Sequence, residues 1–170
     1  MKLIILNGSP AAGKSTVAKK LHESMPFSLL ADVDVWRKLV GAWQENRSES
    51  LKLAYVFTVA AVDSYLGTGH DVIVDKAILS DADGVLDALV AAGKKHNAEV
   101  YEFILTADRD VIRKRADERG YHERLLTPER VLELYDMAVA LVADRSKAIV
   151  IDTTNLKPED TFETIKRHIS

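Results

Sequence analysis

A phosphate-binding motif lies near the start of the chain. Residues 8–15 read Gly8-Ser9-Pro10-Ala11-Ala12-Gly13-Lys14-Ser15 and are followed by Thr16, which matches the pattern G-x-x-x-x-G-K-S without deviation. The glycines let the backbone turn tightly and direct successive N–H groups to one point, where a helix N-terminus adds positive potential. Lys14 supplies a mobile charge for the β- and γ-phosphates, and the Ser15 hydroxyl is a ligand for Mg²⁺. The motif predicts binding of a nucleoside triphosphate and leaves the reaction open.

Carboxylates follow predicted strands at the sheet edge where ligands bind in open α/β folds. Asp32 and Asp34 come after the second strand, and Asp75 ends the third. Asp34 is a candidate general base for an acceptor hydroxyl that attacks the γ-phosphate. Asp75 is a candidate magnesium ligand. The alternative for Asp32 and Asp34 is capping of the next helix, and the alternative for Asp75 is a place in the turn after its strand.

Arginine is concentrated in one late segment of the chain. Five of the ten arginines lie between positions 109 and 124, and the guanidinium group grips phosphate with two parallel hydrogen bonds. Gly120 can serve as the hinge of a short lid over about residues 119–127, which would expel water on closing. We expect phosphate or nucleotide contacts from Arg113, Arg119 and Arg124. We expect Arg109 and Arg115 to pair with acidic neighbours on a surface helix.

Alternating strands and helices must position these groups. Apolar runs predict strands at 3–6, 27–31, 72–74, 99–105 and 147–151. Helical patterns cover 13–23, 35–43 and 49–66, a stretch from a Ser80 or Asp81 cap to about 95, one from the Asp108 cap to 119, one from Thr127-Pro128 to about 143, and one from Pro158. Continuously apolar strands are typical of a parallel sheet with helices on both faces. We therefore predict one α/β domain over residues 1–170.

Composition narrows the functional classes. The chain has 170 residues, a formal net charge of −3 and no cysteine. A mildly acidic chain is a poor candidate for non-specific binding to nucleic acid or a membrane surface. The absence of cysteine excludes a disulfide framework, a cysteine zinc site and a thiol nucleophile. No run approaches the ~20 apolar residues of a membrane span, so we expect a cytoplasmic protein. The sequence does not indicate an oligomeric state.

With these features, the chain resembles the small P-loop kinases of metabolites. It is similar to gluconate kinase-like and shikimate kinase-like enzymes in its phosphate loop, the acid after the second strand and the arginine-rich helix before a short lid. It also resembles chloramphenicol phosphotransferase-like enzymes in the stretches 3–8, 33–34, 72–75 and 151–154. The resemblance implies a P-loop NTPase fold with a five-stranded sheet in the order 2-3-1-4-5. It further implies ATP and Mg²⁺ as cofactors and phosphoryl transfer to a hydroxyl.

The resemblance also implies roles for particular residues. It puts Asp34 at the general-base position and residues 153–157, which include Asn155, beside the adenine. Nucleotide and lid positions fall to Arg113, Arg119 or Arg124. Lys76 is a departure, because related chains often carry another acid or a neutral residue there. This departure bears on the magnesium role of Asp75.

These features favour an ATP- and Mg²⁺-dependent phosphotransferase that acts on a hydroxyl of a small molecule, such as a sugar acid, a polyol or an antibiotic-like compound. A polynucleotide or nucleotide kinase is the alternative, and an NTP-dependent switch is disfavoured because no guanine-reading Asn-Lys-x-Asp motif occurs. Only Arg37 and Arg47 are available to clamp an anionic acceptor. This disfavours shikimate and nucleoside monophosphates, and the aromatic and acidic side chains of the expected pocket suit a neutral or cationic acceptor better than a dianion. This pocket would be formed by Asp32, by Trp36 and Trp43 on one helix, and by the helix 49–66.

Overall fold

The apolar runs of the sequence form a single parallel sheet. The computed structural model describes residues 1–80, 84–120 and 126–170. Every strand pairing is parallel, and the five strands, numbered in chain order, are arranged 2-3-1-4-5 in the sheet. The predicted number of strands and their order are therefore confirmed. The strands are β1 (Lys2–Gly8), β2 (Leu29–Asp32), β3 (Val72–Asp75), β4 (Glu99–Thr106) and β5 (Ile149–Asp152).

Helices connect the strands and cover both faces of the sheet. One helix start shows local capping chemistry at Thr127, whose hydroxyl accepts a hydrogen bond from the Arg130 amide while Pro128 takes the first helical position. No helix in the described ranges is long and apolar enough to span a membrane. The helices are α1 (Lys14–Ser24), α2 (Val33–Lys38), α3 (Arg47–Leu66), α4 (Val85–Lys95), α5 (Arg109–Arg119), α6 (Pro128–Asp144) and α7 (Pro158–Ile169).

The central strand β1 shows how the core is divided. Successive side chains of a strand point to opposite faces. Leu3 and Ile5 pack with the apolar residues of α3 and α4, whereas Ile4 and Leu6 pack with those of α1, α5 and α7. All four side chains are buried. Burial of each side chain contributes about 1.5–3 kcal/mol to the stability of the fold. The phosphate loop therefore follows a strand that is firmly fixed in the core.

Two helices have boundaries that differ from the predicted ones. Helix α2 begins two residues before Val35 and ends at Lys38, because the segment 39–46 turns and Ala42 has a positive φ of 51°. Trp36 and Trp43 consequently do not share a helix face. Helix α4 begins at Val85 after Gly84, whose φ is 64°, so Ser80 is not its cap; the alternative cap, Asp81, lies outside the described residues.

Candidate functional site

The phosphate loop joins β1 to α1 and is pressed against β4. Gly8 has a φ of 120°, and a Cβ atom built there would lie 2.0 Å from the Leu105 carbonyl oxygen. The Ser9 amide donates to that same oxygen at 2.9 Å. Gly13 has the left-handed conformation before α1, and the first amides of α1 have no partner within the helix. The loop therefore places free N–H groups and a positive helix end at one point.

Lys14 lies folded over the loop that precedes it. Its ammonium group donates to the carbonyl oxygens of Gly8 at 3.0 Å and Ser9 at 2.6 Å, and the side chain is buried. The pKa of Lys14 is lowered to about 8, chiefly by burial; Asp75 and Asp34 act to raise this pKa, and the charges of Lys76 and Arg119 act to lower it. A phosphate group in the loop would give this lysine the counter-charge that two carbonyl groups only partly supply.

A carboxylate and a hydroxyl meet at the start of α1. The Ser15 hydroxyl is hydrogen-bonded to the Asp75 carboxylate, whose pKa is raised chiefly by burial. Asp75 is 6% exposed at the end of β3, where the strand register places it beside Asp32 of β2. Hard oxygen ligands of these two types suit Mg²⁺, which usually takes one or two carboxylates together with substrate phosphates and water. Among the described residues, no group of three or more acidic or histidine side chains forms a closed metal cage.

The two acids after β2 have different surroundings. Asp32 caps α2, because its Oδ1 accepts hydrogen bonds from the amides of Asp34 at 2.8 Å and Val35 at 3.3 Å. The carboxylate of Asp34 instead meets the ammonium group of Lys76 at 2.5 Å. Asp34 is 54% exposed, while Lys76 is 13% exposed. The capping alternative therefore describes Asp32, and Asp34 keeps a carboxylate that faces solvent near the phosphate loop.

The remaining predicted nucleotide residues are less closely placed. Arg119 ends α5 and is exposed, yet it lies near enough to Lys14 to lower the pKa of that lysine. Arg113 is exposed on the same helix, and Asn155 is exposed in the turn after β5. Arg124 and most of the predicted lid lie outside the described residues. The roles predicted for these four residues remain predictions.

Arg115 has a function in the fold that the sequence reasoning missed. Its guanidinium donates to the carbonyl oxygen of Thr153 at 2.7 Å and to the Thr153 hydroxyl at 3.1 Å. That hydroxyl lies 2.9 Å from the Thr106 carbonyl oxygen and 3.3 Å from the Ala12 carbonyl oxygen of the phosphate loop. Arg115 thus ties the turn after β5 to the phosphate loop instead of pairing with an acid on the surface. No local sequence pattern indicated this contact, because Thr153 lies 38 residues further along the chain.

Arg109 behaves as predicted for a surface residue, with its guanidinium 3.5 Å from the Asp136 carboxylate on α6 and both side chains largely exposed. The prediction of acidic partners on its own helix was too narrow.

Asn7 is a second position that the motif alone does not single out. Its fully buried side chain donates to the Ile78 carbonyl oxygen at 2.8 Å and accepts from the Ile78 amide at 2.9 Å. The same side-chain oxygen accepts from the Gly8 amide at 2.8 Å. Asn7 therefore fixes the segment after β3 against the first residue of the phosphate loop. In the sequence, the signal for this contact is a polar residue directly after the apolar run 3–6, where a buried side chain needs hydrogen-bond partners.

Arg37, one of two arginines considered for an anionic substrate, is committed to the protein. It donates to the Ser50 hydroxyl at 3.2 Å and to the Arg47 carbonyl oxygen at 2.7 Å. Its guanidinium also lies 5.5 Å from the ring centre of Trp43. These contacts hold the turn between α2 and α3, so the guanidinium group has few remaining donors for a ligand.

Comparison with known proteins agrees with this architecture. A protein from Thermococcus onnurineus named "Putative adenylate kinase" is 27% identical, over 96% of this chain and 81% of its own length. A cytidylate kinase from Ignicoccus hospitalis is 28% identical, over 98% of both chains. Among solved structures, that of a "putative kinase" from Chloroflexus aurantiacus is similar, with a TM-score of 0.70, 19% identity and coverage of 99% of this chain and 95% of its own.

The sequence also matches a protein family. The profile of the family described as an AAA domain matches residues 3–142, which include the phosphate loop, the acids after β2 and β3, and the arginine-rich helix α5. The chain therefore belongs to this AAA domain family and has a kinase-like P-loop NTPase fold.

Proposed function

We propose that the protein transfers the γ-phosphate of ATP to a hydroxyl group of a small molecule. The observation that carries this proposal is the position of Asp34. Its carboxylate does not cap α2, is open to solvent, and lies within electrostatic reach of Lys14. An alcohol needs a base to remove its proton during attack, and a carboxylate at this place can provide one.

In the proposed reaction, the acceptor oxygen forms a bond to the γ-phosphorus while the bond from that phosphorus to the bridging oxygen of ADP breaks. The hydroxyl proton passes to Asp34, and ADP departs with the electron pair of the broken bond. Lys14 and the amides at the start of α1 hold the phosphate oxygens, on which negative charge develops. Arg119 and Arg124 are the proposed sources of further positive charge there. Arg113 and Asn155 are proposed nucleotide contacts.

Ser15 and Asp75 are the residues that would hold Mg²⁺. The fit rests on their hydrogen bond and on the burial of Asp75, since a buried carboxylate with a raised pKa gains stability from a nearby cation. When bound, Mg²⁺ would neutralise charge on the β- and γ-phosphates. Residues outside this pair need supply no further ligand, because the nucleotide and water complete an octahedral shell.

A nucleotide kinase is the second candidate function, and the names of the relatives favour it. Adenylate and cytidylate kinases transfer phosphate to a nucleoside monophosphate. A phosphate acceptor is already ionised at neutral pH and needs no base, but it does need cationic side chains to hold it. In the α2–α3 region, Arg37 is bound to the Ser50 hydroxyl and the Arg47 carbonyl oxygen, and Arg47 itself donates to the Gln44 carbonyl oxygen. The site therefore supports a hydroxyl acceptor better.

A phosphorylation screen with ATP and Mg²⁺ separates the two functions. The panel contains D-gluconate, D-glucose, D-glucosamine, shikimate, an amphenicol, AMP, CMP and an oligonucleotide with a 5′-hydroxyl. Lys14→Ala and Asp34→Asn are measured beside the wild type, with Asp136→Asn as an exposed control on α6. We expect transfer to one hydroxyl acceptor, lost in Lys14→Ala and slowed about 10²-fold or more in Asp34→Asn.

Other outcomes of the screen would change the assignment. Transfer to AMP or CMP that survives Asp34→Asn would establish the nucleotide kinase and remove the base. Transfer to the oligonucleotide that weakens steeply with salt would indicate a polynucleotide kinase, since phosphate-backbone contacts release counterions. Loss of transfer in Asp136→Asn as well would show that the substitutions act through the fold.

A further inference from the structure

Lys76 follows Asp75 directly, and hydrogen bonds fix the backbone of this segment at the edge of the sheet. Its amide donates to the Leu6 carbonyl oxygen at 3.3 Å, which extends the pairing of β3 with β1 by one residue. Ile78 lies two residues further on, and both its amide and its carbonyl group are hydrogen-bonded to the Asn7 side chain. The backbone of Lys76 is therefore fixed on either side. Its side chain is 13% exposed, which is low for a lysine.

The ammonium group of Lys76 meets one partner within the described part of the chain, the Oδ1 atom of Asp34, at 2.5 Å. Asp34 has no comparable support of its own. It lies in the first turn of α2, a helix of six residues, and is 54% exposed. An exposed aspartate in a short helix samples several rotamers unless a contact selects one. The lysine is the more deeply placed member of the pair and so sets the position of the carboxylate.

We propose that Lys76 is a positioning residue for phosphoryl transfer, which holds Oδ1 of Asp34 and leaves Oδ2 to receive the proton of the acceptor hydroxyl. This inference rests on the proposed function. A base must lie within hydrogen-bond reach of the proton that it removes, and small errors of position reduce the rate severely. Lys76 also lies near enough to Lys14 to affect its pKa. The pair therefore links the phosphate subsite to the base.

The same contact changes the expected charge of the acceptor. Asp34 alone would make the acceptor subsite anionic and would attract a cation. The charges of Asp34 and Lys76 balance each other before the reaction. Once the Asp34 carboxylate has taken a proton, the charge of Lys76 is uncompensated. That charge favours the phosphoester product and disfavours a cationic group beside the reacting hydroxyl. The pair therefore favours neutral or acidic hydroxyl compounds over amino sugars, which replaces the cationic acceptor in the expectation from the sequence.

The test uses water as the acceptor, so it does not depend on knowing the physiological one. Hydrolysis of radiolabelled ATP is measured with enzyme in excess, which makes a slow reaction measurable, and ATP affinity is measured separately by equilibrium binding. The variants are Lys76→Met, Lys76→Arg, Asp34→Asn and the double variant Asp34→Asn/Lys76→Met. Lys38→Met, on the exposed end of α2, is the control.

We expect Lys76→Met to lower the hydrolysis rate about tenfold with the Kd for ATP unchanged within about twofold, because Asp34 is displaced while the phosphate loop is intact. Lys76→Arg should retain most of the rate. The double variant should be no slower than Asp34→Asn, since residues that act through one another are not additive. Lys38→Met should match the wild type.

Two sets of results would overturn different statements. Additive losses in the double variant, or a Lys76→Met rate equal to the wild type while Asp34→Asn is slow, would overturn the positioning role and leave the proposed function intact. An Asp34→Asn hydrolysis rate equal to that of the wild type would overturn the proposed base and the inference with it. The same conclusion would follow if the wild type neither hydrolysed ATP nor phosphorylated any acceptor of the screen. A parallel rise in the Kd for ATP in Lys76→Met would assign the lysine to nucleotide binding instead.

Discussion

Raising the pH through 8 should weaken ATP binding while it stabilises the nucleotide-free protein. The cause is Lys14, whose pKa is lowered from 10.5 to about 8, first by burial and then by the positive charges of Lys76 and Arg119. ATP would bring phosphate oxygens to the ammonium group and restore its charge. A nucleotide that binds above pH 8 must therefore take up a proton with it.

The magnitude follows from the pKa of Lys14. If the bound lysine is fully charged, uptake is about 0.5 proton at pH 8 and about 0.9 at pH 9. The Kd for ATP rises about twofold and about tenfold at these two values. The terminal phosphate has a second pKa of about 6 and is already ionised. The lowered pKa also means that the charged form of Lys14 destabilises the folded chain by about 3 kcal/mol.

The sign of the stability change is opposite to that of affinity. Between about pH 8 and pH 10.5 the unfolded chain holds the Lys14 proton and the folded chain does not. The free energy of unfolding therefore rises with pH across this window, and the gain is absent below the folded pKa. General alkaline denaturation would move stability the other way, so the two effects can be told apart.

Titration calorimetry in two buffers of different ionisation enthalpy measures the proton uptake directly. Lys14→Arg is the matched control for binding, because arginine keeps its charge throughout the range. Lys14→Met is the control for stability, measured by urea unfolding from pH 7 to 10. Proton uptake near zero at pH 9, or the same pH dependence of the Kd in Lys14→Arg, would refute the reasoning from the burial of this lysine.

Three further predictions separate structural from chemical roles. Asp32→Ala should cost about 1 kcal/mol of stability by removing the cap of α2, whereas Asp34→Ala should change the unfolding free energy less and abolish phosphoryl transfer; urea unfolding and kcat report the two effects. Gly8→Ala should destabilise by about 3 kcal/mol, because its Cβ would meet a β4 carbonyl oxygen at a positive φ; equal urea midpoints for Gly8→Ala and the wild type would contradict this. Arg145→Met should lower the free energy of unfolding by about 3 kcal/mol, because the carboxylate of Glu102 on β4, which is only 10% exposed, loses its bidentate hydrogen bonds to the guanidinium group. A thermal melt within one degree of the wild type would show that the pair contributes little.

The phosphate loop and the sheet could be predicted because their signals are local. A motif with four fixed residues between an apolar run and a helix leaves little room for another structure. Five short apolar runs likewise indicated five strands, and β1 shows why, since its side chains are buried on both faces. The strand order came from family resemblance and not from the residues, because no local pattern states which strands are neighbours.

The positions that the sequence did not resolve depend on contacts between distant segments. Arg115 and Thr153 are far apart in the chain, as are Lys76 and Asp34, and each pair is joined only when the fold brings a helix beside the segment that follows a strand. Helix boundaries failed for a different reason. The turn at 39–46 requires a positive φ at Ala42, which alanine adopts only when tertiary contacts impose it.

The Asp-Val-Asp stretch at 32–34 illustrates how one boundary decides a functional assignment. Had α2 begun at Val35, Asp34 would have been its cap, and its carboxylate would have been occupied by amide groups. Because α2 begins at Val33, directly after β2, Asp32 accepts those amide hydrogen bonds. Asp34 is then a residue of the first turn, with a carboxylate that no backbone group requires, beside the lysine that follows Asp75. The first acid stabilises the start of the helix, and that assignment leaves the carboxylate of the second acid available for its proposed role as a base.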